Sequence, residues 1–98
     1  MNQQPHHVTN NEAQLRFEIR EGEETAYLEY RYHKSDIALM HTFVPPALEG
    51  KGLASALAHY ALEWAKEHKK MVMVYCPFVA AYLQRHHEYD SIIDKSYK

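Results

Sequence analysis

Three places in the chain carry residue types whose spacing suits chemistry: the glycine pair Gly50 and Gly52, the lone Cys76, and His41. An apolar run closes at Phe43 and Val44, Pro45 and Pro46 stop it, and helical spacing begins at Leu53, directly after Gly52. Glycines let a backbone turn and approach a ligand closely, and the first N–H groups of a helix are unpaired donors at the positive end of its dipole. A strand end, a glycine loop and a helix start therefore form a site for a phosphate or pyrophosphate over Glu49, Gly50, Lys51, Gly52, Leu53, Ala54 and Ser55. The same two glycines also suit a plain tight turn, so spacing alone leaves both roles open. Two other phosphate-loop patterns are absent: Gly-x-x-x-x-Gly-Lys-Ser/Thr does not occur, and no Gly-x-Gly-x-x-Gly opens the helix after Val44. A nucleoside triphosphatase or a nicotinamide enzyme is disfavoured.

Cys76 follows the apolar run Met71–Tyr75 and precedes Pro77, which places it at the end of a strand and the start of a helix, where a thiolate is favoured. Its alternative role is that of a small buried apolar residue. His41 falls on the neighbouring strand and is a candidate base or hydrogen-bond partner, its alternative being a histidine packed in the sheet. The remaining histidines give no metal site: His86 and His87 diverge, and the spacing of His59 and His68 does not make a ligand pair on one helix face.

These residues need elements to hold them. Leu15, Phe17 and Ile19 alternate with Arg16, Glu18 and Arg20, the period-two pattern of a half-buried strand, and Glu21–Glu24 with Gly22 predicts a hairpin turn. Tyr27–Tyr32 continues the alternation. Ile37–Val44 is apolar on both faces, which predicts a central strand covered on both sides. From Gly52 onward Leu53, Leu57, Tyr60, Ala61, Trp64 and His68 share one helix face, and His68, Lys69 and Lys70 suit its negative end. Met71–Tyr75 predicts a buried strand, parallel to 37–44 through a right-handed crossover. Pro77 suits the first turn of a second helix reaching His86. Residues 1–12 predict a loose polar arm, with residues 13–98 as one domain, and Asp90–Lys98 a short extended piece.

At 98 residues the chain has room for a single modest core, and 46% hydrophobic with 24% charged content is that of a globular protein. A formal charge of −2 with no basic run gives no attraction for nucleic acid. One cysteine excludes an intrachain disulfide and any multi-thiolate zinc site. No segment is long and apolar enough to span a membrane and Met1–Asn10 lacks a signal-peptide pattern, so the expectation is a cytoplasmic protein.

Glu49-Gly50-Lys51-Gly52-Leu53-Ala54 resembles the signature of the GNAT (Gcn5-related N-acetyltransferase) superfamily, Gln/Arg-x-x-Gly-x-Gly/Ala between a strand and a long helix, matching at Gly52 and Ala54. Within it the chain looks most like the short acetyltransferase-like proteins that carry Met-His-Thr-x-Val-Pro before the loop, here Met40–Pro45, and a Cys after the next strand, here Cys76-Pro77-Phe78. The resemblance covers roughly 28–89. It implies an α+β fold of order β-β-β-α-β-α, a minimal GNAT domain whose mixed sheet splays to admit coenzyme A between strands 37–44 and 71–75. It also implies that the backbone of Phe43 and Val44 binds the pantetheine arm and that the amides from Gly50 to Ser55 hold the pyrophosphate.

The chain departs from the family pattern in three ways. Glu49 replaces Gln or Arg, which puts a carboxylate beside the phosphates, with Lys51 as a compensating charge. Aligning Ala80 with the family's helix puts Gln84 where a tyrosine often protonates the departing thiolate, and Tyr82 lies about 200° round the helix. Cys76 becomes the substitute. Finally, Glu21–Glu24 leaves no room for the helices that build an acceptor pocket in fuller domains. An acetyl-CoA-dependent N-acyltransferase with an unknown amine or protein acceptor, and a coenzyme A-binding or partner-binding module without turnover, both follow from this sequence.

Overall fold

Alternating side chains build one face of a five-stranded sheet. In the computed structural model, which describes residues 6–95, Phe17 and Ile19 of β2 (Arg16–Glu21) are buried together with Ala26, Leu28 and Tyr30 of β3 (Glu24–His33). The two strands join through Gly22 at φ 63°, a left-handed conformation that glycine adopts without cost. β4 (Asp36–Phe43) pairs antiparallel with β3, and β5 (Met71–Val74) pairs parallel with β4. Between them runs α1 (Leu53–Glu67), and after β5 comes α2 (Pro77–Leu83). The mixed α+β architecture matches the expected one.

Helix α1 lies on the face that carries Phe17, whose ring centroid is 4.6 Å from Tyr30, 5.4 Å from Tyr60 and 5.9 Å from Trp64. Leu53, Leu57, Ala58, Ala61, Leu62 and Ala65 bury the apolar stripe read from the sequence. The helix stops cleanly because Lys69 takes φ 58°, so that its N–H reaches Lys66 O and the Lys70 N–H reaches Ala65 O, satisfying two terminal carbonyls.

Four expectations need correction. The loose arm expected over 1–12 includes a strand, β1 (Thr9–Asn11), which pairs antiparallel with β2 and adds a β element at the start of the order. Its sequence is polar because it is an edge strand; the buried Val8 and the bond from Tyr30 Oη to Asn10 Oδ1 (2.6 Å) hold it. Met1–Pro5 lie outside the described residues. Leu15 does not extend β2 but sits before it at φ 58°, its carbonyl accepting from Tyr30 N. β4 is central, yet only Asp36–Leu39 are buried; His41 and Phe43 are exposed, because α1 and α2 pack beside one another and leave the opposite face bare there. Finally, α2 ends at Leu83, and the tail folds as a 3-10 segment, His87–Ile92, before Ile93 makes a single bridge to Val72. Tyr89 anchors that segment by donating to Glu63 Oε2 of α1 at 2.6 Å. Residues 96–98 of the expected extended piece lie outside the described residues.

A buried carboxylate sits at the start of β4. Asp36 is 8% exposed, and a hydrogen bond shared with Asp94, then burial, then the charge of Asp94, push its carboxyl above the ordinary carboxylate range, against His33 and Lys70. The native state therefore holds that proton more tightly than the unfolded chain. The stability it contributes is complete below the unfolded value of about 3.9 and is lost as pH rises through the raised native one. Asp36→Asn, which keeps a donor for Asp94, is expected to melt higher than the parent at pH 7, with the gap closing below about pH 4. Thermal denaturation across pH checks this, and a parent that is the more stable at pH 7 contradicts the shared proton.

Candidate functional site

β4 and β5 stay in register only from Asp36↔Met71 to Leu39↔Val74. There the Tyr75 and Cys76 amides both turn onto Leu39 O, at 3.0 and 3.1 Å, and β5 ends while β4 continues from Met40 to Phe43 without a parallel partner. Opposite, the β3 ladder shifts register between Glu29 and Tyr30, leaving Met40 as an extra residue on β4. A bulge bends and twists its strand. The expected splay thus has two local causes, the early turn at Cys76 and the bulge at Met40.

The glycine loop stands at the open end of this gap. Pro45 leads into a 3-10 turn, Pro46–Leu48, and the buried Leu48 anchors it, so the following residues loop outward. Gly50 and Gly52 hold φ of 84° and 78°, and a Cβ at either would meet nothing within 4 Å. Gly52 is also the N-cap of α1, and no side chain caps that end. The amides of Leu53, Ala54 and Ser55 thus precede the first intrahelical bond, Ala56 N to Gly52 O. A cavity of about 250 Å³ lies against them, lined by Val44, Glu49 and Phe78 as well as the loop glycines, Leu53, Ala54 and Ser55. These features fit an anionic linkage of the coenzyme A kind.

The two charges of the loop divide. Glu49 lines the cavity, as feared for a carboxylate in place of Gln or Arg. Lys51 turns away: its Nζ lies 3.5 Å from Glu21 Oε1, and its carbonyl accepts from His6 Nε2 at 2.9 Å, while His6 Nδ1 lies 3.3 Å from Glu21. Lys51 fastens the loop to the β2–β3 hairpin and does not offset Glu49. Sequence reasoning missed His6 and Glu21 because their contact joins segments far apart in the chain.

The structure separates the two catalytic candidates. Cys76 is 3% exposed at the N-cap of α2, its Sγ 3.2 Å from Thr42 Oγ1 across the strand gap. Thr42 shares the sheet face of its partner Leu28, whereas His41 is paired with Glu29, is exposed, and lies with its ring 6.4 Å from Tyr27 on the other face. Strand alternation makes neighbours 41 and 42 point apart. Thr42 had no signal in the sequence beyond that alternation. Phe43 is likewise exposed on the His41 face, its ring 5.5 Å from that of Tyr27, so only its backbone can serve the gap. Gln84 and Tyr82 diverge as the helix geometry requires, Gln84 into a cavity of about 440 Å³ with Val74 and Leu83, Tyr82 into another of about 390 Å³ with Ser55 and Phe78.

A family model, that of the GCN5-related N-acetyl-transferases, matches residues 16–92, from the first residue of β2 to the end of the 3-10 tail. The chain belongs to this family. Its fold is similar to that of a GCN5-like protein from Staphylococcus aureus determined by NMR in solution, with a TM-score of 0.69, 23% sequence identity, and 93% of each chain covered. At that identity the likeness is one of fold. Members of the family generally use acetyl-CoA, and the splay, the glycine loop and the uncapped α1 occupy the place where this family's domain is built to receive it. Among the described residues no group of three or more His, Cys, Asp and Glu is arranged to hold a metal, and no helix is long and apolar enough to cross a membrane.

Proposed function

We propose that the protein is an acetyl-CoA-dependent N-acyltransferase that holds coenzyme A on the strand–loop–helix around Gly50–Ser55 and acylates an amine on a small molecule or protein. One observation carries this reading: the open N-terminus of α1, with Gly50 and Gly52 in left-handed conformations, faces a cavity at the mouth of the gap between β4 and β5. The amides of Leu53, Ala54 and Ser55 would hold the pyrophosphate, and the β4 backbone at Phe43 and Val44 the pantetheine arm. When bound, acetyl-CoA supplies an activated acetyl group as a thioester. Cys76 Sγ, at the inner side of the gap, would deliver a proton there or carry the acyl group before the amine takes it.

A second reading is a coenzyme A-binding module without turnover. The burial of Cys76 and the exposure of His41 on the opposite face favour it, since no acid–base pair is assembled at the gap. Incubation with acetyl-CoA and an amine panel, followed by thiol release and intact mass, separates the two. The transferase reading expects release with a true acceptor, a loss of about a hundredfold or more in Cys76→Ala, and little change in His41→Ala. Release that survives Cys76→Ala undiminished removes Cys76 from the chemistry. Binding without release across the panel leaves the module.

A further inference from the structure

The cavity of about 390 Å³ beside α2 is continuous with the loop cavity, since Ser55 and Phe78 line both. Its other walls are Ala81, Tyr82, Arg85 and His86. Tyr82 and His86, one helical turn apart, stack at 4.0 Å with their planes 13° from parallel, which makes a firm, flat wall. His86 Nδ1 is engaged by Glu88 Oε2 at 3.3 Å. Arg85 forms no ion pair among the described residues, although its main chain is held by the bond from Arg85 N to Tyr82 O. A purine-sized flat wall and an uncommitted guanidinium thus lie one residue beyond the amides assigned to the pyrophosphate, on the side away from the strand gap.

We propose that this cavity takes the nucleotide end of the cofactor, with the Tyr82 ring against adenine and the Arg85 guanidinium reading the 3′-phosphate of the ribose. The inference rests on the coenzyme A reading and deepens it: the loop amides bind any pyrophosphate, whereas Arg85 distinguishes coenzyme A from its 3′-dephospho form. A phosphate monoester carries nearly two charges at neutral pH, and a guanidinium can bond two of its oxygens at once. Glu88 opposes the phosphate, which sets the preference at about tenfold and no higher.

Calorimetric titration of coenzyme A and of 3′-dephospho-coenzyme A into the full chain and into Arg85→Gln tests this. The parent is expected to bind coenzyme A about tenfold more tightly than the dephospho form, and Arg85→Gln to bind both alike at the parent's affinity for the dephospho form. Equal binding of both by the parent, or a preference that survives Arg85→Gln, overturns the proposal while leaving the loop assignment intact. Weakening of both ligands by the same factor in Arg85→Gln also overturns it, because Arg85 then contacts a group they share. If the parent binds neither, the coenzyme A reading itself is wrong and this inference goes with it.

Discussion

Gly52→Val is expected to erase the thermal stabilisation that coenzyme A gives the parent. A ligand at a hundred times its dissociation constant that binds only the native state adds about 2.7 kcal/mol, and in a domain of this size each kcal/mol moves the melting temperature by about 4–8 °C. The parent should therefore melt well over ten degrees higher with saturating coenzyme A. Gly52 holds φ 78° as the N-cap of α1, a conformation that costs an L-residue about 1–2 kcal/mol and is worst for a β-branched one. A Cβ there would meet no atom within 4 Å, so the free variant should fold and melt only several degrees lower. Strain at this residue falls on the amides of Leu53 to Ser55, whose direction depends on where the helix starts. Scanning both proteins with and without coenzyme A gives the answer: an undiminished shift in Gly52→Val places the cofactor elsewhere, and no shift in the folded parent removes the cofactor altogether.

Phe17→Ala should have the largest effect on stability, about 3–5 kcal/mol. The ring is fully buried and meets Tyr30 from its own sheet and both Tyr60 and Trp64 from α1. It is the joint between the helix and the sheet. A native domain commonly has about 5–15 kcal/mol in all, so the variant should lie close to its unfolding threshold. Urea unfolding at low temperature measures the loss, and Phe17→Leu, which retains most of the buried surface, should cost clearly less. A loss under about 1 kcal/mol would mean that α1 is docked by other contacts. Since α1 carries the anion site on its first turn, Phe17→Ala should also weaken coenzyme A binding without touching the ligand.

Strand alternation and helical spacing are local properties, and they are what the sequence made legible. The faces of β2 and β3, the apolar stripe of α1 and the order strand–loop–helix at 43–55 follow from residue types within a few positions of one another. The glycine loop was legible for the same reason: Gly50 and Gly52 are needed where the backbone turns left-handed, whatever packs around them. β1 was not, because a short polar edge strand lacks alternation and is fixed by its neighbour, through Tyr30 and Asn10. Nor was the end of α2, where Gln84, Arg85 and His86 carry helix-forming residue types but bond three residues back as the chain turns to bring Tyr89 under α1.

The amino-acid sequence alone determined the α+β class, the family, and the position of the loop that meets the cofactor, because each depends on spacing along the chain. Only the tertiary structure decided the rest of the site: that Cys76 faces Thr42 and is buried, that His41 lies on the far side of the sheet, that Lys51 is drawn off to Glu21, and that Arg85 adjoins the loop through Ser55 and Phe78. Each of these is a meeting of residues distant in sequence. Such meetings are set by how the bulge at Met40 and the turn at Cys76 part the strands and by how α2 leans on α1, and no local pattern of residues encodes them.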